Sequence, residues 1–132
     1  MMTSRTAHAF TDDALSDLDA TALAAQIRSG HISAREAAEA AIARAQRMQP
    51  LINAVELPLF EEALRRPVSR EGFFAGVPTF IKDNTDLKGL PTNQGSAAVN
   101  ARPAKRDGAF AEQLLAQGFV TLGKSRMPEF GF

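Results

Sequence analysis

The segment GVPTFIKDNTDLKGLPTNQGS, residues 76–96, holds the side chains of this protein best suited to chemistry. Its first part, VPTFIKD, is rich in strand formers. Strand alternation puts Phe80 and Lys82 on one face, with Thr79 and Ile81 on the other. Lys82 therefore ends a half-buried strand, and a long run of Gly, Pro, Asn, Thr and Ser follows it to about Pro103. A lysine withdrawn from water is driven toward its neutral, basic form. Moving any lysine by about three pH units costs roughly 4 kcal/mol of stability, which proteins seldom tolerate without a use for a neutral amine. The plainer arrangement is a lysine that snorkels to solvent or pairs with Asp83 or Asp86, and spacing by itself favours that one.

Other groups compete with Lys82 for a chemical role. Ser96, in NQGSAA, and Ser125, beside Lys124, are the local serines that could form a two-residue Ser–Lys dyad with it. Both have commoner uses, Ser96 in a loop or helix cap and Ser125 just past a strand. GFVTLGKS, residues 118–125, fits the phosphate-loop pattern G-x-x-x-x-G-K-[ST]. That loop needs a strand before its first glycine and a helix opening at the Lys-Ser. Here a helical pattern precedes Gly118, the apolar run FVTL fills the would-be loop, and Pro128 follows closely, so nucleotide binding is not expected. There is no cysteine, and the two histidines, His8 and His31, lack ligand-like neighbours. No disulfide, thiolate nucleophile, metal site or other cofactor is implied.

The elements that must position Lys82 are legible in outline. Leu15, Leu18, Ala22, Leu23 and Ile27 recur at near-helical spacing over residues 14–29, with Asp19 as a candidate N-cap and Gly30 as the stop. A second helix opens at Ser33, where SARE offers a capping box to Glu36, and Pro50 is expected to end it. Its stripe of Ala37, Ala38, Ala41, Ile42, Ala45 and Met48 suits close packing. INAVEL then reads as a short strand and LFEEALRR as a short helix closed by Pro67. A third longer helix runs from an Asp107 N-cap through Phe110, Leu114 and Leu115 to Gly118, and FVTL follows as a buried strand. This order predicts an α/β fold. N-terminal helices are followed by part of a mixed β-sheet core flanked by helices. The chain closes on PEFGF, and burying a Phe is worth roughly 1.5–3 kcal/mol. Two such residues at the very end suggest a fold continued by further polypeptide.

Composition narrows the class. Fifteen basic residues balance fifteen acidic ones in 132, with 45% apolar residues, so a core is affordable and the footprint of a nucleic-acid binder is missing. No apolar run approaches the roughly 18–20 residues that cross a bilayer, and the opening MMTSRTAHAFTDD has no signal-peptide segment. The expectation is a cytoplasmic protein with a flexible leader over residues 1–13, contacting neither membrane nor nucleic acid.

Three blocks, GVPTFIKDN, PTNQGS and, about thirty residues on, GKSRMPEFG, occur in an order that resembles the amidase signature family. The lead-in SGHISAREAAEAAIARAQ before INAV is similar to that family's opening, so the resemblance covers about residue 17 to the end. Arg126 stands where the family commonly has Asn, and Ser125 where Thr is common. Both departures lie outside the lysine strand and bear on subfamily specificity more than on chemistry. The resemblance implies residues 14–132 as the N-terminal part of an incomplete amidase-signature fold, stopping before the Gly/Ser-rich segment. It implies a Ser–cis-Ser–Lys triad with Lys82 as its lysine and both serines in that later segment, so that the chain alone is inactive. Asp83 and Asn84 would support the lysine strand, and Thr92, Gln94, Gly95 and Ser96 would shape the wall of the site. The implied partners are a small-molecule amide substrate and the remainder of the hydrolase polypeptide, with a homo-oligomer open. Two other readings stand beside it: a glutaminase subunit of a multiprotein amidotransferase, disfavoured by zero net charge, and a non-catalytic α/β module that binds through an open sheet edge.

Overall fold

The computed structural model describes residues 7–132. Residues 1–6 of the expected leader lie outside the described residues. Residues 9–16 run beside the second helix, where Arg47 donates to the Ala9 carbonyl at 2.6 Å and Arg44 to those of Thr11 and Ser16 at 3.2 and 2.6 Å.

The first helix, α1, spans Ala20–Arg28, starting after the expected Asp19 cap, and the helical spacing of residues 14–18 is not helix. The Asp13 carboxylate accepts from the Leu15 N–H at 2.9 Å and from Ser16 at 3.2 Å, giving that backbone a turn as an alternative to helix. Asp19 then caps α1 by accepting from the Ala22 N–H at 2.8 Å. Leu15 and Leu18 still pack on the core formed by Leu23, Ala24, Ala37 and Val77.

Helix α2, Ala34–Ile52, opens with the expected capping box: Glu36 N–H donates to Ser33 Oγ and the Ser33 N–H returns to Glu36 Oε2. Pro50 does not end it. The helix runs two residues further and closes at Asn53, which takes the left-handed conformation. The proline sits in the last turn, where its missing N–H costs one bond. The Gln49 side chain ties the helix end to the following residues, bonding Asn53 Oδ1 and both backbone groups of Val55.

Strand β1 (Val55–Pro58), helix α3 (Phe60–Arg65), strand β2 (Pro78–Lys82), helix α4 (Ala109–Ala116), strand β3 (Val120–Ser125) and a 3-10 turn (Glu129–Gly131) follow. The sheet order is β1-β3-β2, with β3 antiparallel to β1 and parallel to β2. The expected α/β class with a mixed sheet and flanking helices is present. Ala38 and Ile42 of α2, Ala63 of α3 and Leu122 of β3 form a core on one sheet face, joined by Phe80. Ile81, Leu87 and Ala111 form another on the opposite face, joined by Leu114 and Leu115 of α4. Phe80 and Ile81 thus point to opposite faces, as alternation requires.

Asp107 is not the N-cap of α4. That position is Gly108, without a side-chain cap, while Asp107 accepts from the Lys88 N–H at 2.7 Å and pins the loop after β2. Phe110, expected on the helix stripe, is 62% exposed.

Candidate functional site

Lys82 ends β2, and its register partner on β3 is Ser125. The loop that follows returns across the sheet end over residues 91–96. The geometry there depends on one irregularity in β3. Thr79 pairs with Thr121, yet Ile81 pairs with Lys124, so β3 carries one residue more than β2 over this stretch. Such a bulge reverses the facing of every later residue. Leu122 points into the α2/α3 core, whereas Lys124, two residues on, emerges on the opposite face beside Ile81. Gly123 makes this possible with φ of +141°, and a Cβ there would run into the Leu57 carbonyl.

Lys124 is fully buried. Its ammonium donates to Asp83 Oδ1 at 2.7 Å, to the Pro91 carbonyl at 2.9 Å and to Thr92 Oγ1 at 2.8 Å. All three ammonium hydrogens therefore have acceptors, which is what a buried charge needs. Asp83 is equally buried, and its Oδ2 has no partner among the described residues. Its backbone is held too: the Asp83 N–H donates to Ser125 O at 3.0 Å and its carbonyl accepts from Gln94 N–H at 3.1 Å.

The remaining wall candidates tie the 91–96 loop to the end of the chain. Ser96 is buried; its hydroxyl donates to Glu129 Oε1 at 2.5 Å and accepts from the Ala98 N–H at 3.2 Å. The Gln94 carbonyl accepts from Phe130 N–H at 2.8 Å. Gly95 has φ of +70° and lies against the Met127 and Pro128 carbonyls, with no room for a Cβ. Asn84 is exposed, and its Oδ1 accepts from the Thr85 hydroxyl at 3.2 Å.

Lys82 itself departs from the expected half-burial: it is exposed. Neither does it pair with Asp83 or Asp86; no ion pair or side-chain hydrogen bond engages its amine among the described residues. Asp83 is already committed to Lys124. Ser96 is drawn to Glu129 rather than toward Lys82. Ser125 lies directly across the ladder from Lys82 without a side-chain hydrogen bond to it. Along the same sheet face a cleft of about 510 Å³ is lined by Leu23, Met48, Phe80, Leu122 and Ser125.

Sequence reasoning missed Lys124 and Glu129 as organisers of this region. The signal for Lys124 is a lysine inside an apolar strand, which the phosphate-loop pattern obscures. That segment is an extended strand paired on both sides, with no helix opening at Lys124.

A sequence profile of the amidase family matches residues 36–132, nearly three quarters of the chain. The chain belongs to the amidase family. Among relatives of this amidase chain, AmiC of Mycobacterium tuberculosis, which bears the name of an amidase, is 46% identical over 128 residues, covering 95% of this chain and 27% of the relative. The 6-aminohexanoate-cyclic-dimer hydrolase of Paenarthrobacter ureafaciens is 44% identical over 116 residues, covering 86% and 24%. A solved 6-aminohexanoate cyclic dimer hydrolase, complexed with substrate, superposes with a TM-score of 0.74 at 42% identity, covering 86% of this chain and 24% of that one. The chain therefore spans about a quarter of the length of the relatives it matches. Among the described residues, no helix is long and apolar enough to cross a membrane.

Proposed function

We propose that these residues form the lysine-bearing part of an amide hydrolase that works through a Ser–cis-Ser–Lys triad, with Lys82 as the triad lysine. The observation that carries the reading is the state of two adjacent side chains. Asp83 is buried and spent on Lys124, which leaves Lys82 without a partner at the strand end among the described residues. An amine kept free of its neighbouring carboxylate is available to a hydroxyl. The family match over residues 36–132 supports the same assignment.

On this reading both serines come from a Gly/Ser-rich segment absent from the 132 residues, and the polypeptide that supplies it closes over Lys82 and excludes water. The bridging serine, held by a cis peptide bond, passes the nucleophilic serine's proton to Lys82. The freed oxygen attacks the amide carbonyl, backbone N–H groups hold the oxyanion, and the C–N bond breaks as the amine takes the proton back. Water then hydrolyses the acyl-enzyme by the same relay, releasing the carboxylic acid. The substrate is a small-molecule carboxamide and no cofactor takes part.

The test is hydrolysis of primary, aryl, peptide and cyclic amides by the complete hydrolase and its Lys82→Ala variant. Loss of a proton-transfer group should cost about 10²–10⁴-fold or more in kcat. Thermal unfolding of the variant beside the parent separates lost chemistry from lost fold. Undiminished turnover by Lys82→Ala rejects the assignment. Turnover by the isolated 132 residues rejects the placement of the serines outside them.

A further inference from the structure

We infer that Lys124 is a positioning residue for Lys82, acting as a buried clamp that fixes the end of the lysine strand to the wall of the site. The inference rests on the reading of Lys82 as the triad lysine. One ammonium ties the end of the lysine strand to the start of the wall loop at three points. It grips the residue after Lys82 through Asp83 Oδ1, the start of the wall loop through the Pro91 carbonyl, and the loop's Thr92 hydroxyl. All of this happens on the sheet face opposite Lys82, away from solvent, so Lys124 does not touch substrate.

The placement has a structural cost that a packing role alone does not explain. The strand accepts a bulge and a glycine at φ +141° to turn Lys124 onto this face. Without the bulge it would follow Leu122 into the apolar core between the sheet and helices α2 and α3. A long, flexible amine is then held at three points with no exposed surface. Asp83 Oδ1 cannot move without breaking a buried ion pair, and the Asp83 carbonyl is bonded to Gln94 N–H in the same loop. The Cα of Lys82 is one peptide bond away. Its position relative to the 91–96 wall is thereby set from behind. Displacements of about 1 Å at a catalytic group can cost on the order of 10²-fold in rate.

The experiment compares the complete hydrolase with Asp83→Asn/Lys124→Met, which removes both buried charges and leaves no unpaired ion, and with Thr92→Val, which keeps the ion pair and deletes one grip. Thermal unfolding, kcat and KM are measured for each, with Lys82→Ala alongside. The double variant is expected to unfold within a few degrees of the parent while kcat falls roughly ten- to hundredfold and KM changes less than about threefold. Thr92→Val, the milder change, should lose severalfold in kcat in the same pattern. A purely structural Lys124 gives the other result: parental kcat in any variant that keeps parental stability. That outcome, with Lys82→Ala inactive, overturns this inference alone. An active Lys82→Ala overturns the triad assignment and this inference with it.

Discussion

Replacing Lys124 with methionine tests the energetics of the strand end most directly. Methionine nearly matches lysine in length and volume, so the change removes charge and three hydrogen bonds while leaving little cavity. Asp83 Oδ1 would lose its 2.7 Å bond, in a place where Oδ2 has no partner among the described residues. Breaking a buried pair by removing one member costs about 3–5 kcal/mol, because the other charge is stranded. Against the total of roughly 5–15 kcal/mol typical of a domain, that is about a fifth of the stability or more. Asp83→Asn should cost less, since Lys124 keeps the Pro91 and Thr92 acceptors. The double variant should recover most of the loss, because paired charges and neutral groups of similar volume are often nearly equivalent inside a protein. Urea unfolding followed by circular dichroism at neutral pH, run on all four proteins, gives the coupling energy, expected at about 3 kcal/mol. If the two single changes add within about 0.5 kcal/mol, the pair is not energetically coupled and the account of this site is wrong.

Three further outcomes follow from particular contacts. Gly123→Ala should destabilise by about 2–3 kcal/mol, since φ of +141° strains any L side chain and the new methyl meets the Leu57 carbonyl; chemical denaturation measures it. Ser96→Ala removes the hydroxyl that serves Glu129 and Ala98, and should cost about 1–2 kcal/mol, with faster hydrogen exchange at Ala98 and Phe130. The Arg44 guanidinium, hydrogen-bonded to Asp13, holds that carboxyl below its ordinary value, helped by the Leu15 and Ser16 N–H groups and opposed by burial. A lowered folded value means stability that is complete above the unfolded carboxyl's range near pH ~3.9 and lost as pH falls through the folded value. Asp13→Asn should remove that acid-side slope and, after solvent screening, cost about 1 kcal/mol at pH 7, read from unfolding midpoints across pH 2–7.

Local rules written in the chain decided the caps and most elements. Ser33 with Glu36, and Asp19 before an apolar stripe, are bonds between near neighbours, so their geometry follows from spacing alone. Alternation placed Phe80 and Ile81 on opposite faces for the same reason, and three ordered blocks carry the family resemblance in the sequence itself. The failures came where a side chain had a distant alternative. Asp107 was a sound N-cap by spacing but serves Lys88, nineteen residues earlier, and Asp13 bonds Arg44 across thirty-one residues. The bulge at Gly123 is a mismatch between two strands separated by nearly forty residues, which no single segment can express. Because the period of a strand is two, that one extra residue decides which face Lys124 takes. It turned a lysine that patterning assigned to no site into the partner of Asp83. The state of Lys82 was likewise a tertiary outcome. Strand alternation fixed its face, but only the packing around it determined that water reaches it and that Asp83 does not.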